Sequence, residues 1–235
     1  MKPFAELPEL TDAERAVADL LPIGAGADDA RRVRDSVPLW FHTFALNPAD
    51  DVYTPGVARD HRYRVPYLPP SFAGRSVLDV GTFDGFYAYL AEHRGAERVV
   101  AVDNEQYVDW VKARWGVDLP GAAGFRAIGE LLASKVSYRR GDALALADEA
   151  ERFDVVFCFG ILHRVENPLG LLRRLAALLA PGGSLLVETY GAGSGDAIDV
   201  KRPGDVYAGD DYVYWGFGAG ALQSLASPTT PDSPR

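Results

Sequence analysis

Between Ser76 and Tyr190, short apolar runs alternate with amphipathic stretches. SVLDV, Ser76 to Val80, reads as a buried strand. A glycine turn through Gly81 and Gly85 follows, then a helix to about Arg94 and a second strand, Arg98 to Val102, that ends on an acid. Gln106 to Trp115 has helical period, with Tyr107, Trp110 and Val111 on one face; Gly116 to Gly124 is a glycine-proline insert, and Phe125 to Ser134 a further short helix. A third strand, Lys135 to Arg139, runs into GDALAL. The fourth, Phe153 to Gly160, is apolar in the manner of a strand covered on both faces. Asn167 and Pro168 open an apolar helix to Ala180, with proline in the first turn, and PGGSLLVETYG supplies a fifth strand with Glu188 and Tyr190 at its tip. Strands separated by helices predict an α/β fold with a doubly wound, mostly parallel sheet.

The flanks have a different pattern. Thr11 with Glu14 three positions on is a capping-box signature for a helix to about Leu21, and Asp28 to Val37 predicts a second helix. PLWFHTFALNPADDVYTPGVARDHRYRVPYLPP has neither helical nor strand period and reads as a loop-built lid or a packing arm. Residues 1–70 are therefore expected to be an N-terminal arm and substrate lid, 71–195 the core, 196–226 an aromatic lid with a helix over Ala219–Ala226, and 227–235 a disordered tail. The stretch after Ala226 has no strand pattern, so no C-terminal strand hairpin is expected there. An uncovered fifth strand is an aggregation hazard, which predicts that the N-terminal arm or, in a homodimer, a second copy covers it.

Composition narrows the chemistry. The net charge of −9 opposes nucleic acid and favours a small-molecule partner. Cys158 is the one cysteine, which excludes an internal disulfide and a cysteine-rich metal site; His42 and His61 have no ligand spacing, and no metal is expected. The N-terminus has no apolar signal region and no run reaches membrane-spanning length, so a soluble cytoplasmic protein is expected.

The loop after the first strand is informative through what it lacks. A dinucleotide site uses G-x-G-x-x-G to seat a pyrophosphate, whereas here Phe83 and Asp84 fill the loop and Asp79 precedes Gly81. An acidic loop repels pyrophosphate and suits S-adenosylmethionine, which has a sulfonium, an ammonium and a ribose but no phosphate. Asp103, at the second strand's tip, is placed to accept hydrogen bonds from the ribose diol. Asp142, with Ala143 beside it, suits either the adenine amino group or a helix N-cap.

VLDVGTFDG, the acid of VVAVD, RRGDALAL, FDVVFCFGILHRVENPL and LAPGGSLLVET fall in the order and at the spacings of class I S-adenosylmethionine-dependent methyltransferases, which the chain resembles from about Gly74 to Tyr190. DVGTFDGFY, GILHRVENP and RPGDVYAGDDYVYWGFGAGAL are further similar to the tRNA wobble-uridine (mo5U34) methyltransferase-like branch. The resemblance implies a Rossmann-like core that binds the cofactor through Asp79, Gly81, Thr82, Phe83, Asp84, Gly85, Asp103, Asn104, Asp142, Ala143, Phe159 and Gly160. His163 and Arg164 are the candidate catalytic residues, with His163 the candidate general base, its alternative being to pack over the adenosine. Trp40, His42, Tyr190, Tyr207, Tyr212, Tyr214 and Trp215 are the candidate acceptor-binding residues; with Phe41, the tryptophans and lid tyrosines are expected to converge over the ends of the fourth and fifth strands.

Two departures bear on the acceptor. His163-Arg164 stands where the branch tends to have Tyr-His, and PLWFHTFALNP lacks the lysine with which the tRNA enzyme is expected to hold the carboxylate of carboxy-S-adenosylmethionine. The expected reaction is methyl transfer to an oxygen or nitrogen of a small molecule, such as a specialised metabolite. The alternatives are a tRNA wobble-uridine (carboxy)methyltransferase with a basic face from Arg31, Arg32, Arg34, Arg59, Arg62 and Arg64, a non-catalytic S-adenosylmethionine-binding protein, and a nicotinamide oxidoreductase, for which the third glycine is missing.

Overall fold

The computed structural model describes residues 7, 9–58, 63–148, 150–202, 205 and 212–226. Contacts group the chain into two compact units, residues 1–143 and 144–235.

The first unit opens with α1 (Asp12–Ala18), where the capping box forms: the Thr11 hydroxyl accepts the Glu14 amide and the Glu14 carboxylate accepts the Thr11 amide. Helix α2 (Ala27–Ser36) buries Ala30 and Val33. The following segment, expected to be loop alone, contains β1 (Ala45–Asn47) and β2 (Val52–Tyr53), an antiparallel pair around a short 3₁₀ turn. Pairs this short offer too few positions for a strand period to show. Beyond them β3 (Ser76–Val80), α3 (Phe86–His93) and β4 (Arg98–Asp103) form the expected βαβ unit, with Val80 opposite Val102 in parallel register. Helices α4 (Tyr107–Trp115) and α5 (Ala123–Leu132) lead to β5 (Ser137–Arg140), which starts later than the sequence pattern implied and pairs Arg140 with Asp103. Ala133, at the C-cap of α5 with φ of 46°, breaks the helix before that strand.

The second unit contains β6 (Phe153–Phe159), whose Val155, Val156, Phe157 and Cys158 are fully buried as the apolar run required. Helix α6 (Pro168–Ala177) is capped by Asn167, whose side-chain oxygen accepts the Gly170 amide. It ends before the expected Ala180, because β7 (Leu179–Glu188) already starts at Leu179 and pairs in parallel with β6. In the first unit the parallel strands lie in the order β5-β4-β3, and in the second β6 pairs in parallel with β7. Downstream, β8 (Ile198–Val200) and β9 (Trp215–Phe217) form a separate antiparallel pair before α7 (Ala219–Ala226). That pair lies within the stretch expected to be an aromatic lid. Tyr207 and residues 227–235 lie outside the described residues. Among the described residues, no helix is long and apolar enough to cross a membrane, and no cluster of His, Cys, Asp and Glu is arranged to hold a metal.

Candidate cofactor and acceptor sites

The first unit positions the acidic loop. Strand β3 ends at Val80, and the backbone then takes left-handed conformations at Gly81 (φ 71°), Phe83 (φ 50°) and Gly85 (φ 85°) before α3 starts. At Gly85 a side chain would also strike the rings of Phe125 and Tyr89. Glycine is required there twice over, for backbone conformation and for space.

The loop carboxylates have separate tasks. Thr82 Oγ1 donates to Asp79 Oδ2 at 2.7 Å; burial pushes Asp79 up to about 6. Asp84 Oδ2 accepts the amides of Phe41 and His42 at 2.5 and 2.9 Å, and burial pushes its pKa up to about 7. Asp84, expected at the cofactor, is thus engaged with the arm. At the tip of β4, Asp103 Oδ2 accepts the Phe83 amide at 3.0 Å and Oδ1 the Glu105 amide at 2.8 Å. Burial raises its pKa, while those two amides oppose the shift. Each oxygen keeps a further acceptor position, as a diol needs. Asn104 is exposed and accepts the Gln106 amide; Asp142 is exposed beside buried Ala143. A groove of about 450 Å³ opens here, lined among others by Asn104, Glu105, Leu119, Pro120 and Arg140.

Two candidate acceptor residues belong to this unit's core. Trp40 is fully buried, donates its indole N–H to the Arg34 carbonyl at 2.9 Å and packs edge-on to Phe44. His42 is buried among Phe41, Phe44, Phe86 and Tyr87. Trp40 also lines a groove of about 510 Å³ with Arg34, Pro38, Pro55 and Trp115, while His42 packs inside the arm. Phe41 instead stacks on Phe83 at 4.4 Å, and Phe83 on Tyr107 at 3.9 Å.

In the second unit, β6 ends at Phe159, which stacks on Phe157, and Gly160 (φ 72°) turns the chain into a 3₁₀ turn at Leu162–Arg164. His163 is buried; its Nδ1 is 3.1 Å from Thr189 Oγ1, and its ring is 4.5 Å from that of Tyr190. The Tyr214 amide donates to the His163 carbonyl at 2.8 Å. Arg164 donates to the Gly160 carbonyl at 3.0 Å and the Tyr212 carbonyl at 2.7 Å, and its guanidinium lies over the Tyr212 ring. Trp215 donates its indole N–H to the Val165 carbonyl at 2.7 Å, and Tyr212 packs edge-on to Tyr214. The structure therefore brings Tyr190, Tyr212, Tyr214 and Trp215 around the loop after β6. Sequence reasoning missed Thr189 and Glu105, because nothing local marks a threonine or glutamate as the partner of a residue distant in the chain.

A parallel sheet with an acidic glycine loop and an acid at the next strand's tip defines a nucleoside-binding α/β protein of the class I methyltransferase type. Residues 56–222 match the methyltransferase domain family, and the chain belongs to it. The domain is that of an S-adenosylmethionine-dependent methyltransferase. Among curated relatives, a tRNA U34 carboxymethyltransferase from Idiomarina loihiensis is 30% identical over 222 residues, 87% of this chain and 62% of that protein. One from Klebsiella pneumoniae is 33% identical over 163 residues, 68% of this chain and 43% of that protein. The chain thus spans less than two thirds of the length of these relatives. Among solved structures, the N-terminal domain of EvdMO1 with S-adenosylhomocysteine bound shares the fold at a TM-score of 0.59 and 18% identity, covering 86% of this chain and 88% of that one.

Proposed function

We propose that this protein transfers the methyl group of S-adenosylmethionine to an oxygen or nitrogen of a small-molecule acceptor. The observation that carries the choice of acceptor is the charge on α2. Arg31, Arg32 and Arg34 would supply half of a basic face for RNA, yet each pairs with a neighbouring acid, Asp28, Asp29 and Asp35 respectively. Helix ADDARRVRDS is thereby neutral overall, within a chain of net charge −9. Phosphate contacts dominate nucleic-acid affinity, so a neutral helix is a poor RNA surface.

The donor set fits the cofactor. Asp103 accepts from the ribose hydroxyls, and the acids of the loop favour a cationic amino-acid end over a pyrophosphate. When bound, the cofactor supplies a methyl carbon already activated by a sulfonium. The protein's share is to align the acceptor and exclude water. Tyr190, Tyr212, Tyr214 and Trp215 offer flat apolar area with polar tips for holding an acceptor. His163 is the candidate base for an acceptor that loses a proton, held in orientation by Thr189. Arg164, bonded to two main-chain carbonyls, braces the loop that carries His163.

The second reading, carboxymethyl transfer to a tRNA wobble uridine, is favoured by the names of the relatives at 30 and 33% identity. Titration of bulk tRNA at two salt concentrations separates the two. The small-molecule reading expects weak binding with little salt dependence and no labelling of tRNA by methyl-labelled S-adenosylmethionine. Micromolar binding that weakens steeply with salt, or label transferred to tRNA, would overturn it.

A further inference from the structure

Glu105 is conspicuous in the first unit for its backbone. It has φ of 60°, a left-handed conformation that costs a residue with a Cβ and persists only where surroundings impose it. The surroundings here are on the adjacent strand. Tyr138 Oη donates to Glu105 Oε1 at 3.0 Å, and Arg140 Nε pairs with Oε2 at 3.0 Å. Gly121 backs onto the same carboxylate so closely that a Cβ there would collide with it. Arg140 is largely exposed while the Glu105 side chain is nearly buried, so the tyrosine bond is the better shielded half of the clamp.

The clamp has one evident product. The left-handed turn points the Glu105 amide at Asp103 Oδ1, 2.8 Å away, while the Phe83 amide holds Oδ2. Phe83 is itself left-handed, at φ of 50°. Two left-handed residues thus each hold one oxygen of the carboxylate. Arg140 lies in register with Asp103 across the parallel ladder, which explains how a side chain of β5 reaches Glu105, two residues beyond the end of β4.

We propose that Glu105, clamped by Tyr138 and Arg140, is the positioning residue that aims the Asp103 carboxylate at the cofactor's ribose. This rests on the reading of Asp103 as the ribose acid. Glu105 acts through Asp103, so its effect belongs to ligands that carry the ribose and vanishes when Asp103 is absent.

The test is calorimetric binding of S-adenosylhomocysteine and of 5′-methylthioadenosine, which keeps the ribose but lacks the amino-acid end, to E105A, E105Q, Y138F, D103A and the D103A/E105A pair. E105A is expected to lose about tenfold in affinity for both ligands, and E105Q, which still accepts from Tyr138, to recover most of it. E105A is expected to add little to D103A, since a residue acting through another is non-additive with it. Y138F, which removes one clamp donor without truncating Glu105, is expected to show a smaller loss for both ligands and carries the test if E105A does not fold. Wild-type affinity in both E105A and Y138F overturns the proposal, as do losses that multiply in the double variant or a loss confined to S-adenosylhomocysteine. Wild-type affinity in D103A overturns the ribose reading beneath it.

Discussion

Asp84 Oδ2 accepts the backbone amide of His42 at 2.9 Å, tying the glycine loop to an arm whose sequence shows no regular period. The same oxygen holds the Phe41 amide, and Phe41 stacks on Phe83 of that loop. A loop residue expected to meet the cofactor is therefore also what docks the arm.

Burial of this carboxylate, which the two amides only partly oppose, makes stability pH-dependent in an unusual direction. Burial raises Asp84 to about 7 and Asp79 to about 6, against an ordinary 3.8. Their folded-state pKa values exceed the unfolded ones, so between pH 4 and 7 the folded protein binds more protons. Their contribution is fully present below about pH 4 and is lost as pH rises through the folded values. Asp84→Asn keeps an acceptor for both amides and removes the titration. Urea unfolding at pH 5 and 7.5 is expected to show wild type losing about 2–3 kcal/mol more than the variant over that interval. Parallel pH profiles for the two proteins would contradict the assignment.

Trp40 and Trp215 both look like acceptor-site aromatics in the sequence, and the structure separates them. Trp40 has no exposed surface, and truncation to alanine is expected to cost about 3–5 kcal/mol of stability, as for other buried aromatics. Trp215 is partly exposed and bonded to the Val165 carbonyl. Trp215→Phe keeps the apolar face and gives up that bond, for about 1 kcal/mol. Chemical denaturation of both variants checks the contrast; similar losses would refute it.

What was legible in the sequence follows from length and period. The βαβ core has runs long enough for periodicity, and the limits of β3 and α7 coincide with the expected ones. The position of Asp103 at the tip of β4 was legible because the apolar run before it ends on that acid. The β1–β2 and β8–β9 pairs were not, since two or three residues carry no period. Nor was the burial of Trp40 and His42, whose residue types suit a core and a binding wall equally well. The Glu105 clamp was hidden for a third reason: it depends on the register between β4 and β5, which local pattern does not specify.

Asp103 itself makes a direct prediction. A charge-assisted pair of hydrogen bonds to a ribose diol contributes about 1.5–3 kcal/mol per bond, so Asp103→Ala is expected to weaken S-adenosylhomocysteine binding about tenfold or more. Calorimetry on the folded variant measures it, and unchanged affinity would remove Asp103 from the site.

Gly85 and Gly74 allow the two reasons for glycine to be measured apart. Both have positive φ, 85° and 70°, so alanine at either place meets the left-handed penalty of about 1–2 kcal/mol. Around Gly74 nothing lies within 4 Å of the added Cβ, and Gly74→Ala is expected to cost that penalty alone. At Gly85 the same Cβ would lie 2.6 Å from Phe125 Cδ2 and 2.8 Å from Tyr89 Cε2. Neither ring is free to give way, because Tyr89 Oη is bonded to the Phe125 carbonyl at 2.6 Å and both rings pack together at 4.9 Å. Overpacking adds about 1–3 kcal/mol, so Gly85→Ala is expected to cost roughly twice as much as Gly74→Ala. It should also weaken S-adenosylhomocysteine binding, since the displaced residue adjoins Asp84 and opens α3, whereas Gly74→Ala should leave binding unchanged. Denaturant unfolding with calorimetry on the same two variants decides the matter. Equal destabilisation would mean that the Phe125–Tyr89 wall yields, leaving backbone conformation as the whole reason for glycine at position 85.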